Sequence, residues 1–190
     1  MTKQELREEH IRKRKALDDS MVEHLSRRIC ERFVGDFDFA DLLVIHTFLP
    51  IIRNNEPNTW HIIRFIQESD LPIRISIPKI SAGTGSLKHF YLDSNTEFET
   101  NRWGINEPVS GNLTPVSEIE GVLIPLLAFD TKGQRVGYGK GFYDRFLATC
   151  RPDTKRIGIS FFPPVEQIDD INEFDVPLHH CVTPDKTFTF

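Results

Sequence analysis

The chain has 190 residues, of which 39% are hydrophobic and 27% charged, with a formal net charge of -5. This length fits a single domain, residues 1–190, with a sizeable core. No apolar run approaches the roughly 20 residues that cross a bilayer, and the negative charge argues against a nucleic-acid binder. Cys30, Cys150 and Cys181 lack the spacing of a disulfide framework or a zinc site. Because the charged N-terminus does not resemble a signal peptide, we expect a cytoplasmic protein. We also expect no membrane contact and no obligate protein partner.

The first predicted helix is largely polar. Thr2 and Glu5 form a capping-box pattern at its start. At about 100° per residue, Lys3, Arg7 and Arg14 fall close together on its surface, so one face carries a basic row. Such a row is typical either of a solvated charged face or of an anion-binding face.

The second predicted helix is amphipathic and packs on the core. Ser20 and Glu23 repeat the capping pattern, and apolar residues follow at helical spacing. We expect Gly35 to end this helix.

Short apolar runs alternate with helical stretches through the rest of the chain. The runs at 41–49, 71–80, 88–93, 120–130 and 155–162 are typical of buried strands, and those at 59–69 and 142–150 of helices. The alternation predicts a three-layer α/β domain with a mostly parallel sheet, helices on both faces, and ligands at the carboxyl ends of the strands. Residues 93–118, rich in Asn, Thr, Glu and Pro, predict a long loop.

The stretch GQRVGYGKGFYDRF at 133–146 lies between a predicted strand and a predicted helix. Gly137, Gly139 and Gly141 can adopt positive φ and present backbone amides to an anion. The spacing matches neither the Walker A motif nor G-x-G-x-x-G. The stretch therefore predicts either a tight turn or a phosphate-binding loop.

Charged residues in the same stretch favour the phosphate-binding interpretation. Lys140 lies between Arg135 and Arg145, and a cation beside converging amides suits phosphate. Asp144, just inside the helix, is placed either to cap that helix or to hold Mg²⁺ on a bound nucleotide.

The run PLLAFDTKGQRVGYGKGFYDRFL at 125–147 resembles the signature of the 5-formyltetrahydrofolate cyclo-ligase family, also called 5,10-methenyltetrahydrofolate synthetase. Further motifs follow in order: K-x-x-L-R at 3–7, Glu56 before a helix, W-G-I-x-E-P at 103–108, and D-V-P-L-x-x-x-V-T at 175–183. The resemblance implies a ligase that acts on reduced folate, with ATP as co-substrate and Mg²⁺ as cofactor. Its products would be 5,10-methenyltetrahydrofolate, ADP and phosphate, formed by phosphorylation of the formyl oxygen and attack by N10.

The resemblance also implies roles for individual residues. The catalytic residues would be Lys140 and Arg135, and the metal carboxylates Asp144 and Asp175. ATP would contact Lys3, Gln4, Glu5, Leu6, Arg7, Arg135, Val136, Gly137, Tyr138, Gly139, Lys140, Gly141, Phe142 and Tyr143. The folate would contact Ile51, Glu56, Tyr138, Gly139, Lys140, Gly141 and Phe142, with Glu56 accepting hydrogen bonds from the pterin.

The sequence departs from the family pattern at a few positions. His179 and His180 stand where the family usually has an acidic residue, which weakens the assignment of Asp175 to a metal. Phe48 occupies a place where tyrosine is common.

Trp103 is placed either to stack on a flat ligand ring or to anchor its loop by packing.

The sequence is also compatible with two other functions. A non-catalytic protein that binds folate or nucleotide would keep the glycine stretch but would not release ADP. A sugar-phosphate isomerase or acyl-transfer enzyme on a similar scaffold would need no ATP, because a fold does not fix a function.

Overall fold

The computed structural model describes residues 1–40, 42–81, 85–100 and 106–190. Its helices are α1 (Lys3–Lys15), α2 (Asp19–Asp36), α3 (Trp60–Glu68) and α4 (Phe142–Leu147), with 3-10 turns at Ile52–Asn54 and Val116–Glu118. Its strands are β1 (Val44–His46), β2 (Arg74–Ile80), β3 (Leu87–Tyr91), β4 (Glu97–Thr100), β5 (Asn106–Ser110), β6 (Gly121–Pro125), β7 (Ala128–Phe129), β8 (Arg135–Val136), β9 (Lys155–Ile159), β10 (His180–Val182) and β11 (Thr187–Thr189).

The central sheet has seven strands in the order β11-β10-β9-β6-β1-β2-β3. The five inner strands, from β10 to β2, are parallel to one another. The two edge strands, β3 and β11, pair antiparallel with theirs. The prediction of an α/β domain with a mostly parallel sheet is therefore confirmed.

Helices cover both faces of this sheet. Because side chains alternate along a strand, successive residues of β6 enter different cores. Leu123 packs in the cluster that contains residues of α2 and α3. Val122 and Ile124 pack in the cluster that contains Phe146 of α4. The structure thus has the three layers that the sequence predicts.

Helix α1 lies against the small β7–β8 hairpin, where Leu6 packs with Ala128, Val136 and Ile168. Its predicted capping box is confirmed, with both reciprocal hydrogen bonds present between Thr2 and Glu5.

The predicted ends of α2 need correction. The residue that caps its start is Asp18, whose carboxylate accepts a hydrogen bond from the backbone N–H of Met21 at 2.8 Å. Aspartate is as effective an N-cap as serine, so the helix begins before Ser20. Gly35 lies inside the helix, which continues to Asp36.

The prediction of one long loop over residues 93–118 is wrong in part. Strands β4 and β5 form an antiparallel pair there, and a 3-10 turn follows at Val116–Glu118. Every residue of β4 is exposed and β5 contains Pro108, so the pair lacks the apolar alternation by which strands are predicted. Trp103 lies outside the described residues. No described helix is long and apolar enough to cross a membrane.

Candidate active site

A cleft of about 1060 Å³ opens where the parallel strands end. Phe48 follows β1, Pro78 lies near the end of β2, and Pro125 ends β6; all three line the cleft. Helix α1, the glycine loop at 137–141 and the segment 170–176 complete its walls. Ligands of open α/β sheets bind at this edge.

Two glycines of the loop are required by its conformation. Gly139 and Gly141 have φ of +85° and +65°, in the region that side chains disfavour. A Cβ at Gly139 would also lie 3.3 Å from the guanidinium of Arg7, and one at Gly141 would lie 2.9 Å from that of Arg145. Gly137 departs from the expectation, since its φ is not positive.

The basic row of α1 faces this loop. Arg7 donates to the carbonyl of Gly137 at 2.9 Å. Arg14 is buried and donates to the hydroxyl of Tyr138 at 3.0 Å and to the carbonyl of Leu126. Lys3 and Arg7 of the row line the cleft, whereas Arg14 does not. Because Arg14 is buried, the interpretation as a solvated face does not hold for it.

Two cations of the cleft are paired with the two predicted metal carboxylates. Arg135 contacts Asp144 at 2.7 Å, and Lys3 forms a salt bridge with Asp175. Burial lowers the pKa of the Arg135 guanidinium, and the neighbouring Asp144 opposes that shift. The backbone N–H of Val176 donates to Asp144 at 3.2 Å, which places the two carboxylate segments side by side.

Lys140 differs from these cations because its side chain is exposed. Within the described part of the chain its ammonium has no hydrogen-bond or ion-pair partner, while its carbonyl accepts from Arg145 at 3.2 Å. The fixed backbone and the free ammonium leave this charge available to a ligand.

Glu56 also lines the cleft and is buried, with 4% of its surface exposed. Its carboxylate accepts from the hydroxyl of Tyr138 at 2.7 Å and from the backbone N–H of Ile51 at 2.8 Å. Burial raises the pKa of Glu56, although both hydrogen bonds and the charge of Arg14 oppose the shift. Burial and the negative charge of Glu56 also raise the pKa of Tyr138.

Arg14, Tyr138 and Glu56 thus form a chain of contacts that was not predicted. Arg14 was placed on the basic row but not in the site. The signal that could have indicated its role is its position on the same face of α1 as Lys3 and Arg7.

Most residues that the sequence assigned to ligands line the cleft. These are Lys3, Gln4, Arg7, Ile51, Glu56, Arg135, Gly137, Tyr138, Gly139, Lys140, Gly141, Phe142, Tyr143, Asp144 and Asp175. Three do not: Glu5 caps α1, and Leu6 and Val136 are buried in the core. Their contact with ATP stays a prediction.

The cleft also contains residues that the sequence did not assign to it, among them Arg53, Arg145, Asn172 and Phe174. His179 and His180 lie elsewhere, since His179 contacts Arg156 and His180 contacts Thr189. Among the described residues, no three His, Cys, Asp or Glu side chains are grouped to hold a metal ion.

Comparison with known proteins gives consistent results. The family model described as the 5-formyltetrahydrofolate cyclo-ligase family matches residues 1–184. The chain is 26% identical to the 5-formyltetrahydrofolate cyclo-ligase of Escherichia coli K12 over 181 residues, which cover 93% of this chain and 97% of that protein. It is 35% identical to the Haemophilus influenzae cyclo-ligase over 99 residues, covering 48% of this chain and 52% of that protein.

Solved structures show the same fold. The 5,10-methenyltetrahydrofolate synthetase of Mycoplasma pneumoniae superposes with a TM-score of 0.76 at 25% identity, covering 97% of this chain and 99% of that one. The 5,10-methenyltetrahydrofolate synthetase of Aquifex aeolicus superposes with a TM-score of 0.83 at 23% identity, covering 100% of this chain and 93% of that one. The resemblance drawn from the sequence motifs is confirmed: the chain belongs to the 5-formyltetrahydrofolate cyclo-ligase family and is a ligase.

Proposed function

We propose that the protein uses ATP and Mg²⁺ to convert 5-formyltetrahydrofolate to 5,10-methenyltetrahydrofolate, with release of ADP and phosphate. The observation that carries this proposal is the composition of one cleft, which combines a cationic glycine loop with the buried carboxylate of Glu56. The first feature suits a polyphosphate and the second a ring system rich in N–H groups.

The triphosphate would lie along the wall formed by α1 and the glycine loop. Lys3, Arg7, Arg135 and Lys140 all line this part of the cleft. Phosphoryl transfer depends on alignment and on electrostatic stabilisation, which fixed cations supply without a covalent nucleophile. The pairing of Lys3 and Arg135 with carboxylates holds their side chains in place before ATP arrives.

Mg²⁺ would be held by Asp144 and Asp175. In each carboxylate one oxygen accepts the hydrogen bonds from the protein, Oδ1 in Asp144 and Oδ2 in Asp175. The second oxygen of each accepts no hydrogen bond from the described residues. Mg²⁺ usually takes one or two carboxylates together with water and substrate phosphates, so this donor set fits. When bound, the ion would neutralise charge on the phosphates.

The pterin would bind beside Glu56. Each carboxylate oxygen has one hydrogen bond from the protein and keeps a second lone pair for a ligand. The amino group and ring N–H of the pterin are suitable donors. Tyr138 and Ile51 fix the orientation of the carboxylate before the folate enters.

The proposed reaction proceeds in two steps. The formyl oxygen attacks the γ-phosphorus of ATP, ADP leaves, and the formyl carbon becomes a strong electrophile. The N10 lone pair then attacks this carbon, N10 releases its proton, and the C–O bond breaks as phosphate departs. In this proposal Lys140 stabilises the charge that moves during the first step.

A direct assay tests the proposal against the alternatives. Purified protein should form methenyl-folate, followed by its absorbance, when 5-formyltetrahydrofolate, ATP and Mg²⁺ are all present. Omitting ATP or chelating the metal should abolish product. Equal turnover without metal would contradict the role of Asp144 and Asp175. Turnover without ATP would favour the acyl-transfer alternative, and binding without ADP release would favour the non-catalytic one.

A further inference from the structure

Phe174 is a large apolar side chain that projects from the cleft wall into solvent. It is 75% exposed, the highest exposure among the large hydrophobic residues of the described chain, and it lines the cleft. Burying a phenylalanine side chain is ordinarily favourable, and this residue largely forgoes that gain in the free protein.

The segment that carries Phe174 has a fixed conformation. The backbone N–H of Phe174 donates to the side chain of Asn172 at 2.9 Å, and the N–H of Asn172 donates to Asp175 at 2.7 Å. Asp170 accepts from the backbone N–H of Lys3 at 2.6 Å. These bonds tie the segment to itself and to α1, so the exposed position of the aromatic ring is held by its backbone.

Salt bridges place Phe174 beside the cations of the cleft. Phe174 precedes Asp175, whose carboxylate forms a salt bridge with Lys3. Val176, the residue after Asp175, donates its backbone N–H to Asp144, the partner of Arg135. The aromatic side chain therefore belongs to the segment that contacts Lys3 and the Arg135–Asp144 pair.

A flat apolar surface beside phosphate-binding cations suits one kind of ligand, a ring attached to a polyphosphate. We propose that the ring of Phe174 stacks on the purine base of ATP. This inference rests on the proposed function and adds a binding residue to it. Stacking of aromatic side chains on nucleobases tolerates different bases, because every base has a π-face. Phe174 therefore contributes affinity for a nucleotide more than choice among purines.

Calorimetric titration with two probes tests the proposal. The first probe is Mg-ATP in the absence of folate, and the second is inorganic tripolyphosphate, which has the phosphates but no base. In Phe174→Ala the Kd for Mg-ATP should rise roughly tenfold, whereas the Kd for tripolyphosphate should stay within twofold of wild type. Phe174→Trp should retain the affinity for ATP. Leu113→Ala removes another exposed apolar side chain, outside the cleft, and should change neither constant.

The outcomes separate this inference from the proposed function. Unchanged ATP affinity in Phe174→Ala overturns the stacking role while leaving the function intact. An equal loss of tripolyphosphate affinity would instead show that the variant disturbs Lys3 and Asp175, and a loss of folate affinity would show that Phe174 faces the other substrate. Wild-type protein that binds neither ATP nor tripolyphosphate would overturn both the function and the inference.

Discussion

The hydroxyl of Tyr138 donates a hydrogen bond to the carboxylate of Glu56 at 2.7 Å, across 82 residues of sequence. Tyr138 belongs to the glycine loop, whereas Glu56 lies in the segment between β1 and α3. One hydrogen bond therefore joins these two walls of the cleft, and Arg14 of α1 contacts the same hydroxyl. The position of the Glu56 carboxylate depends directly on the glycine loop.

Glu56→Gln should raise the KM for 5-formyltetrahydrofolate by at least tenfold and the KM for ATP much less. The reason is the loss of a buried charge-assisted hydrogen bond, worth about 1.5–3 kcal/mol. Initial-rate kinetics with each substrate varied in turn gives both constants. Glu68→Gln, at the exposed end of α3, is the matched control and should behave as wild type. Unchanged folate kinetics in Glu56→Gln would leave Glu56 without a ligand role.

The same substitution should change how stability depends on pH. Burial raises the pKa of Glu56 above 4.5, its ordinary value. At a pH between 4.5, the pKa in the unfolded state, and the higher pKa of the folded state, the folded protein holds a proton that the unfolded chain has released. The free energy of unfolding therefore falls as pH rises through this window. Glu56→Gln cannot titrate and should lack this loss. Urea unfolding from pH 4.5 upward should therefore show the variant gaining stability relative to wild type; a constant difference across the series would contradict the raised pKa.

His89 should make the protein sensitive to acid. Burial lowers the pKa of this histidine from 6.5 to about 4. Between these values the unfolded state binds a proton that the folded state excludes, so stability is lost as pH falls from 6.5 towards 4. The groups that face His89 are His46, itself buried with a lowered pKa, and Phe146, which stacks on it with ring centroids 4.1 Å apart.

His89→Gln should flatten the stability profile in that range, while His24→Gln, at an exposed position of α2, should not. Urea midpoints at pH 7.5 and pH 5 measure the effect. Parallel losses on acidification in wild type and His89→Gln would show that the imidazole is not responsible.

Lys140→Met should lower kcat by roughly 10² or more while weakening ATP binding much less. The substitution removes the charge and keeps much of the side-chain length, and single electrostatic contacts at active sites have effects of this size. Single-turnover rates and an ATP Kd from calorimetry separate the two effects. Lys132→Met, an exposed lysine in the β7–β8 connection, is the control. A normal kcat with weakened nucleotide affinity would show that Lys140 only binds the phosphates and does not stabilise the transition state.

Local sequence signals predicted much of this cleft. The capping box of α1, the basic row and the glycine loop each depend on residues close together in the sequence, and all three are present. The long apolar run that includes β6 was equally clear. By contrast, β10 and β11 have three residues each and no distinctive pattern, so they were not predicted.

These local patterns do not predict contacts between residues that are far apart in the sequence. Nothing local to Glu56 indicates that Tyr138 will pair with it, and nothing local to Asp144 indicates that Arg135 will occupy one of its oxygens. Phe174 likewise lacks any periodic signal in its loop. The Glu56–Tyr138 contact is favoured by the order of the strands, since β1 and β6 are parallel neighbours and the segments that follow them, with Glu56 and the glycine loop, leave the same edge of the sheet.

The fate of the formyl oxygen tests the central claim most directly. If the formyl group is activated by phosphorylation, 5-formyltetrahydrofolate labelled with heavy oxygen at that position should deliver the label to inorganic phosphate. Mass spectrometry of the released phosphate should then show one labelled oxygen for each methenyl-folate formed. Label found in water or formate, with unlabelled phosphate, would contradict phosphoryl transfer to the formyl oxygen.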